Sequence, residues 1–166
     1  IDWKTPPASI EGVAAFRQQV GKDGLLKFYG NFNHSNFSLY NHQVSDFSVK
    51  YLYNLTNDYR YINGFYKNTL SEKWSIRGGL SYNYIQNDAW VEADNIEETE
   101  KGIHAKTVLE GSLSDKVEMK FGGEIINRNY SQYFDLKTGE DYVLGFDELL
   151  AAGFAETDIY TSNKFV

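Results

Sequence analysis

The chain has 166 residues, 16 Lys and Arg against 23 Asp and Glu, a formal net charge of -7 and no Cys. That balance speaks against a nucleic-acid partner, which needs clustered Lys and Arg, and the missing Cys excludes disulfides and thiolate metal sites. Hydrophobic residues make up 42% of the chain, yet no apolar run nears the roughly 18 residues of a membrane-crossing helix.

The longest apolar run is Leu149 to Ala155, so any membrane contact has to come from strands. Aromatic residues reach 16% and Pro is limited to Pro6 and Pro7, a usage that favours β structure. The chain opens on Ile1, with no signal sequence, and reads as a processed chain or a piece of one.

Alternation with period two predicts seven strands, at 8–20, 25–40, 57–70, 74–88, 101–113, 117–131 and 147–162. Tight polar turns follow every second strand: Gly21-Lys22-Asp23-Gly24, Ser71-Glu72-Lys73, Ser114-Asp115-Lys116 and Ser162-Asn163-Lys164. The other connections, 41–56, 89–100 and 132–146, read as long and loose. The repeating unit is then a hairpin, short-turned at one end and long-looped at the other, as in transmembrane barrels. Lys164-Phe165-Val166 reads as the start of an eighth strand.

Each strand sorts its residues onto two sides. In the first, Ile10, Gly12, Ala14 and Phe16 oppose Glu11 and Arg17; in the second, Leu26, Phe28, Gly30 and Phe32 oppose Lys27 and Asn31. The third sets Ile62, Gly64 and Tyr66 against Asn63 and Lys67. The fourth is the clearest, with Trp74, Ile76, Gly78, Leu80, Tyr82 and Tyr84 against Ser75, Arg77, Gly79, Ser81 and Asn83. The fifth opposes Ile103, Ala105, Thr107 and Leu109 to His104, Lys106 and Glu110. In the sixth, Val117, Met119, Phe121 and Ile125 oppose Glu118, Lys120, Glu124 and Arg128; in the seventh, Ala151, Gly153, Ala155 and Ile159 oppose Glu156 and Asp158.

The expectation is that every charge within the spans lies opposite the apolar side, because a lipid-facing Lys or Arg costs about 2 to 4 kcal/mol at the bilayer midplane. A soluble lipocalin-like barrel gives the same alternation with the faces exchanged. Periodicity leaves both readings open. The expected long-and-short connections, the strand length, and Tyr40, Tyr51, Tyr53, Tyr59, Tyr61, Tyr82, Tyr84, Tyr130 and Tyr133 near the loose-loop end favour the membrane.

Nothing in the chain reads as catalytic, and no cofactor is expected. His34, His42 and His104 lack partners at metal-ligand spacing, Gly78-Gly79 and Gly122-Gly123 read as packing or bending sites, and nothing resembles a nucleophile elbow. The acidic residues Asp94, Glu97, Glu98 and Glu100 read as a solvated loop, with a cation-binding loop as the alternative. Lys67, Arg77, Lys106, Glu110, Glu118, Lys120, Glu124 and Arg128 are the candidate lumen-lining residues, where opposite charges on neighbouring strands can pair.

Asp2-Trp3-Lys4-Thr5-Pro6-Pro7 running into Ser9-Ile10-Glu11-Gly12, then Tyr66-Lys67-Asn68, Trp74 to Tyr82, Lys101 to Lys106 and Lys120 to Glu124 are barrel phrases. In that order the chain resembles part of the barrel of a TonB-dependent outer-membrane receptor of the Bacteroidota type. The resemblance implies an all-β fold: an antiparallel up-and-down transmembrane β-barrel of about 22 strands, of which about seven are here, closed by a plug domain. It also implies residence in the outer membrane among its lipids and import of a scarce siderophore, glycan or peptide. TonB and the plug would act through parts outside this chain, and a surface lipoprotein partner is left open. No binding residue is carried over. A complete eight-stranded membrane barrel, acting as anchor or adhesin, is the alternative from the same environment.

Overall fold

A computed structural model describes residues 2–137, 139 and 141–161. Seven strands occur in the expected order: β1 (Asp2–Val20), β2 (Gly24–Gln43), β3 (Asp46–Thr69), β4 (Trp74–Val91), β5 (Asp94–Ser114), β6 (Val117–Asp135) and β7 (Asp141–Ile159). They form one sheet in which each strand pairs only with its sequence neighbours, in the order β1 to β7. All six pairings are antiparallel. The fourth expected turn, Ser162 to Lys164, and the eighth-strand segment after it lie outside the described residues.

The long connections are corrected. β2 and β3 run through 41–56 to a turn at Val44 and Ser45, β4 and β5 meet at Glu92 and Ala93, and β6 runs to Asp135, paired with Asp141 at the start of β7. The acidic residues Asp94 to Glu100 are therefore strand, not loop. Two things hid this. Asn, Asp and Glu are poor strand formers in isolation, and the apolar residues change sides in these segments, which breaks any alternation followed from the middle of a strand. Cross-strand pairing supplies what propensity lacks: the Asn57 side-chain amide donates to that of Asn87 at 2.6 Å, and the Leu52 N–H donates to Glu92 Oε1 at 2.6 Å. Glu92 itself takes a left-handed φ of 57°, and its N–H donates back to the Leu52 carbonyl.

Pro6 and Pro7 sit in β1 where the register slips between Thr5 and Ala8. A strand with only one partner can tolerate two residues that donate no hydrogen bond there. The strands hold 18 to 24 residues, about twice the 9 to 11 that cross a bilayer at a tilt.

The hairpins are staggered. Val20 pairs with Gly24 to close the first, whose level on β3 is Asn68, since Leu25 faces Lys67. The second closes two residues farther on, where the Leu70 N–H donates to the Trp74 carbonyl. Trp74 is level with Gly111 and Met119, and the third hairpin closes two residues beyond Met119, at Val117. Two residues of slip, about 6.7 Å, over two strand spacings, about 9.6 Å, place the strands about 35° from the normal of any plane holding all three turns.

The sheet has almost no core. The chain exposes 11639 Å², whereas a compact domain of 19.1 kDa exposes about 8,400 Å². Val108, 4% exposed, is the one buried hydrophobic side chain among the described residues. Large apolar side chains stand open to the surroundings instead: Ile62 at 46%, Leu80 at 57%, Ile103 at 47% and Ile125 at 53%. Those four share one face, whereas Ser81, His104 and Ile126 on the other are half-buried. Shielding of one side of a single sheet is what curvature toward that side produces.

Close packing survives at the turn end, where Trp74 lies across Gly111. A Cβ on Gly111 would stand 2.5 Å from the Lys73 carbonyl oxygen and 2.5 Å from the Trp74 ring; one on Gly123 would meet nothing nearer than 3.5 Å. Gly111→Ala is expected to cost about 1 to 3 kcal/mol and Gly123→Ala under about 1, measured by urea unfolding. Equal costs would refute the Trp74 contact.

Candidate functional site

The register assigns every strand residue to a face, because directly opposed residues in an antiparallel pair point the same way. The eight candidate residues all fall on the Ser81 face. Glu110, Lys120 and Glu156 stand opposite one another in one row across β5, β6 and β7, and Lys106 and Glu124 do so in another. Arg77 Nη2 lies 3.6 Å from Glu110, Lys106 Nζ lies 3.3 Å from Glu124, and Lys120 Nζ donates to Glu156 at 3.0 Å with Asp158 3.6 Å away. Arg128 makes two hydrogen bonds to Glu100, Nε at 3.2 Å and Nη2 at 3.0 Å.

Four of the partners lay outside the eight. Glu100 was hidden in the supposed acidic loop, Glu156 and Asp158 in the weakly patterned last strand, and His104, 3.2 Å from Glu124, among the apparently unpartnered histidines. Three of the eight face like charge. Lys67 stands opposite Arg77, and Glu118 opposite Asp158, while Glu118 accepts a 3.4 Å hydrogen bond from the Tyr160 hydroxyl. One row on, Arg17 stands opposite Lys27, so four cations gather on β1 to β4 with Glu110 as the one carboxylate paired to them among the described residues. Like charges directly opposed are destabilising.

These pairs are partly exposed, so water screens them. A double-mutant cycle of Glu100→Gln and Arg128→Gln is expected to return a coupling under about 1 kcal/mol. A coupling of several kcal/mol would mean that this face is dehydrated.

The expectation that all charges oppose the apolar side fails at five positions. Asp58, Arg60, Asp88, Lys101 and Asp147 share the Leu80 face. Their placement is not scattered: Arg60, Tyr84, Lys101, Asn129 and Asp147 form one row, and Asp58 and Asp88 lie beyond it, toward the far end. From that row outward the Leu80 face is polar, with Asn36, Ser38, Asn54, Thr56, Glu97, Thr99 and Ser131. The Ser81 face gains apolar residues over the same stretch, Phe37, Leu39, Tyr53, Leu55, Ala89, Val91, Ile96 and Phe134, set among the polar Asn57, Asn87, Glu98 and Gln132. The two faces exchange polarity part-way along the strands.

The tyrosines follow this exchange, which corrects the idea of one Tyr belt. Tyr40, Tyr82, Tyr84 and Tyr133 lie on the Leu80 face, whereas Tyr51, Tyr53, Tyr59, Tyr61 and Tyr130 lie on the Ser81 face. There aromatic rings meet across strands: Trp3 edge-on to Phe37 at 5.8 Å, Phe37 tilted against Tyr53 at 5.9 Å, Tyr130 stacked on Phe146 at 5.4 Å.

The histidines bond to neighbours rather than to one another. His34 Nδ1 lies 3.0 Å from Asp58, and His42 Nδ1 is 2.8 Å from the Phe47 carbonyl. Among the described residues no three His, Cys, Asp or Glu side chains converge to hold a metal ion. At the far end the Lys50 ammonium donates to Asp2 at 2.8 Å and holds that carboxyl below its usual range. No helix is long and apolar enough to cross a membrane, which says nothing of strands. No family model matches the chain, and no curated protein does.

Proposed function

We propose that the chain is a segment of the wall of an outer-membrane β-barrel, its Leu80 face toward lipid and its Ser81 face toward the lumen, in a TonB-dependent transporter that imports a scarce nutrient. The exchange of polarity at the Tyr84 row carries the membrane part of this reading. A sheet that covers a protein core keeps one apolar side from end to end, since the medium on each side does not change. A wall that leaves hydrocarbon for water must give up its apolar outer face where the lipid stops.

The dimensions agree. The levels from Trp74 to Tyr82 cover eight residues, about 27 Å along the strand, or about 22 Å along the normal at a 35° tilt. Outer-membrane barrels carry an apolar band of about 25 Å between aromatic girdles. Trp74 at one limit and Tyr82 and Tyr84 at the other suit those girdles. The farther half of each strand then stands in water and lines a vestibule with aromatic rings, while the charged rows nearer the turns line the lumen, where a plug would dock. The transporter itself rests on the resemblance of the barrel phrases to TonB-dependent receptors.

These 166 residues contain no Cys, so single nitroxide labels can be placed on them in the full-length protein once any Cys elsewhere is replaced. Labels at positions 80, 103 and 125 should collide with oxygen, those at 81, 104 and 126 with a water-soluble nickel chelate, and those at 56, 97 and 131 with the chelate again. Oxygen access that keeps one parity to the far end would refute the membrane wall. For transport, loss of the gene and loss of TonB should abolish uptake of the same nutrient; uptake that survives without TonB would refute that part alone.

A further inference from the structure

We propose that Arg60 and Lys101 form a binding row for phosphate-bearing lipid headgroups on the outer surface of the sheet. This rests on the membrane-wall reading above and adds a ligand to it. Arg60, Tyr84 and Lys101 are directly opposed on β3, β4 and β5 and share the Leu80 face. The Arg60 guanidinium carbon lies 5.5 Å and the Lys101 nitrogen 5.9 Å from the centroid of the Tyr84 ring. Both cations are exposed, and neither has an ion-pair partner among the described residues. Arg17, Lys27 and Lys67 also lack an ion pair, but they lie on the Ser81 face; on the Leu80 face Lys50 is paired to Asp2, whereas Arg60 and Lys101, in a single row, are left without a carboxylate among the described residues.

Their surroundings supply it. Immediately toward the turn end the same face offers Ile62, Tyr82 and Ile103, all exposed and apolar. Immediately toward the far end the carboxylates already have partners. Asp58 is taken by His34 at 3.0 Å, and the Gln86 amide donates to Glu97 at 3.2 Å and to Asp88 at 3.4 Å. Gln86 also accepts the Tyr84 hydroxyl at 2.5 Å, which fixes the ring between the two cations. Asp147, two strands from Lys101 in the same row, accepts from the Asn129 amide at 2.6 Å. The two free positive charges thus stand just beyond the apolar residues of this face, Arg60 about 5.5 Å nearer the turns than Lys101 at the 35° tilt, both at the depth of bilayer phosphates, with long stems able to lie along apolar surface. Arg60 and Lys101 are two strand spacings apart, about 9.6 Å, enough for two phosphate groups at once. Each cation near an anionic lipid surface contributes about fivefold in affinity, so the pair contributes about 25-fold.

The test uses the full-length protein in bilayers of brominated phosphatidylglycerol or brominated phosphatidylcholine, with a bimane fluorophore on Ile103→Cys just below the row. Wild-type background should show stronger quenching by the anionic lipid, a preference that falls about 25-fold in Arg60→Gln/Lys101→Gln and persists in Arg60→Lys/Lys101→Arg. Equal quenching by both lipids, or a preference that survives the double Gln variant, would overturn the headgroup row and leave the membrane wall standing. No quenching by either lipid would overturn the wall and the row with it. Inorganic phosphate at constant ionic strength should not remove the preference; if it does, the row binds a soluble anion and the lipid assignment fails.

Discussion

Leu80→Arg is expected to destabilise the folded protein by about 2 to 4 kcal/mol, the cost of a guanidinium held against hydrocarbon near the bilayer midplane. Leu80 lies on the exposed apolar face, level with Ala105 and Ile125, in the middle of the band between Trp74 and Tyr84. Two controls make the result specific. Ser81→Arg, one residue on, turns the same charge to the Ser81 face and should cost under about 1 kcal/mol, because Glu100, Glu110 and Glu124 on that face already hold cations. Ser131→Arg stays on the Leu80 face but lies one row beyond Lys101 and Asn129, where the depth-dependent penalty has fallen to about 0 to 1 kcal/mol. Urea unfolding from bilayers would measure all three. A cost at position 131 equal to that at position 80 would mean that the face meets one medium along its whole length, and the membrane wall would be lost.

Much of this was legible in the residues themselves. The period-two pattern of Trp74 to Tyr84 and of Val117 to Arg128 located β4 and β6, and Gly21 to Gly24 marked the first turn, where Gly21 takes a φ of 66°. The faces of the middle of each strand follow from parity alone, so the eight charged candidates were expected on one face and lie on one. The far half was harder to read because alternation was followed outward from the middle of each strand. Tyr51, Tyr53 and Leu55 are odd-numbered whereas Ile62, Gly64 and Tyr66 are even; a single phase cannot describe both, so a strand of 24 residues looked like a shorter one ending in a loop. The change of phase was nonetheless visible, since Asp58, Arg60, Asp88, Lys101 and Asp147 already broke the parity rule on one side. Partner choice was not legible. Which carboxylate meets Arg128 depends on register, and the register of β5 against β6 is set only when Glu100 belongs to a strand.

The isolated chain is expected not to insert into a bilayer as a monomer, and this is the largest effect of all. Among the described residues β1 and β7 each pair on one side only. In an antiparallel ladder every second residue turns its N–H and C=O away from the partner, so the stretches of both strands that cross the apolar band present rows of unpaired groups. Each such group costs several kcal/mol in hydrocarbon, and a row on each edge totals on the order of tens of kcal/mol, far beyond the 5 to 15 kcal/mol by which folded domains are ordinarily stable. Side chains cannot cure this, because the missing partners are backbone groups. The seven strands therefore need further strands on both edges, which is why the proposed barrel must be larger than the sheet. Residues 1–166 alone should remain protease-sensitive and run as an unfolded band with or without heating before electrophoresis, whereas the full-length protein should be protected and heat-modifiable. Insertion of the isolated chain as a urea-resistant monomer would mean that its edges close on each other, and the wall would then be a complete small barrel. Insertion only as a ring of several copies would keep the apolar face in lipid and transfer the missing edges to neighbouring chains.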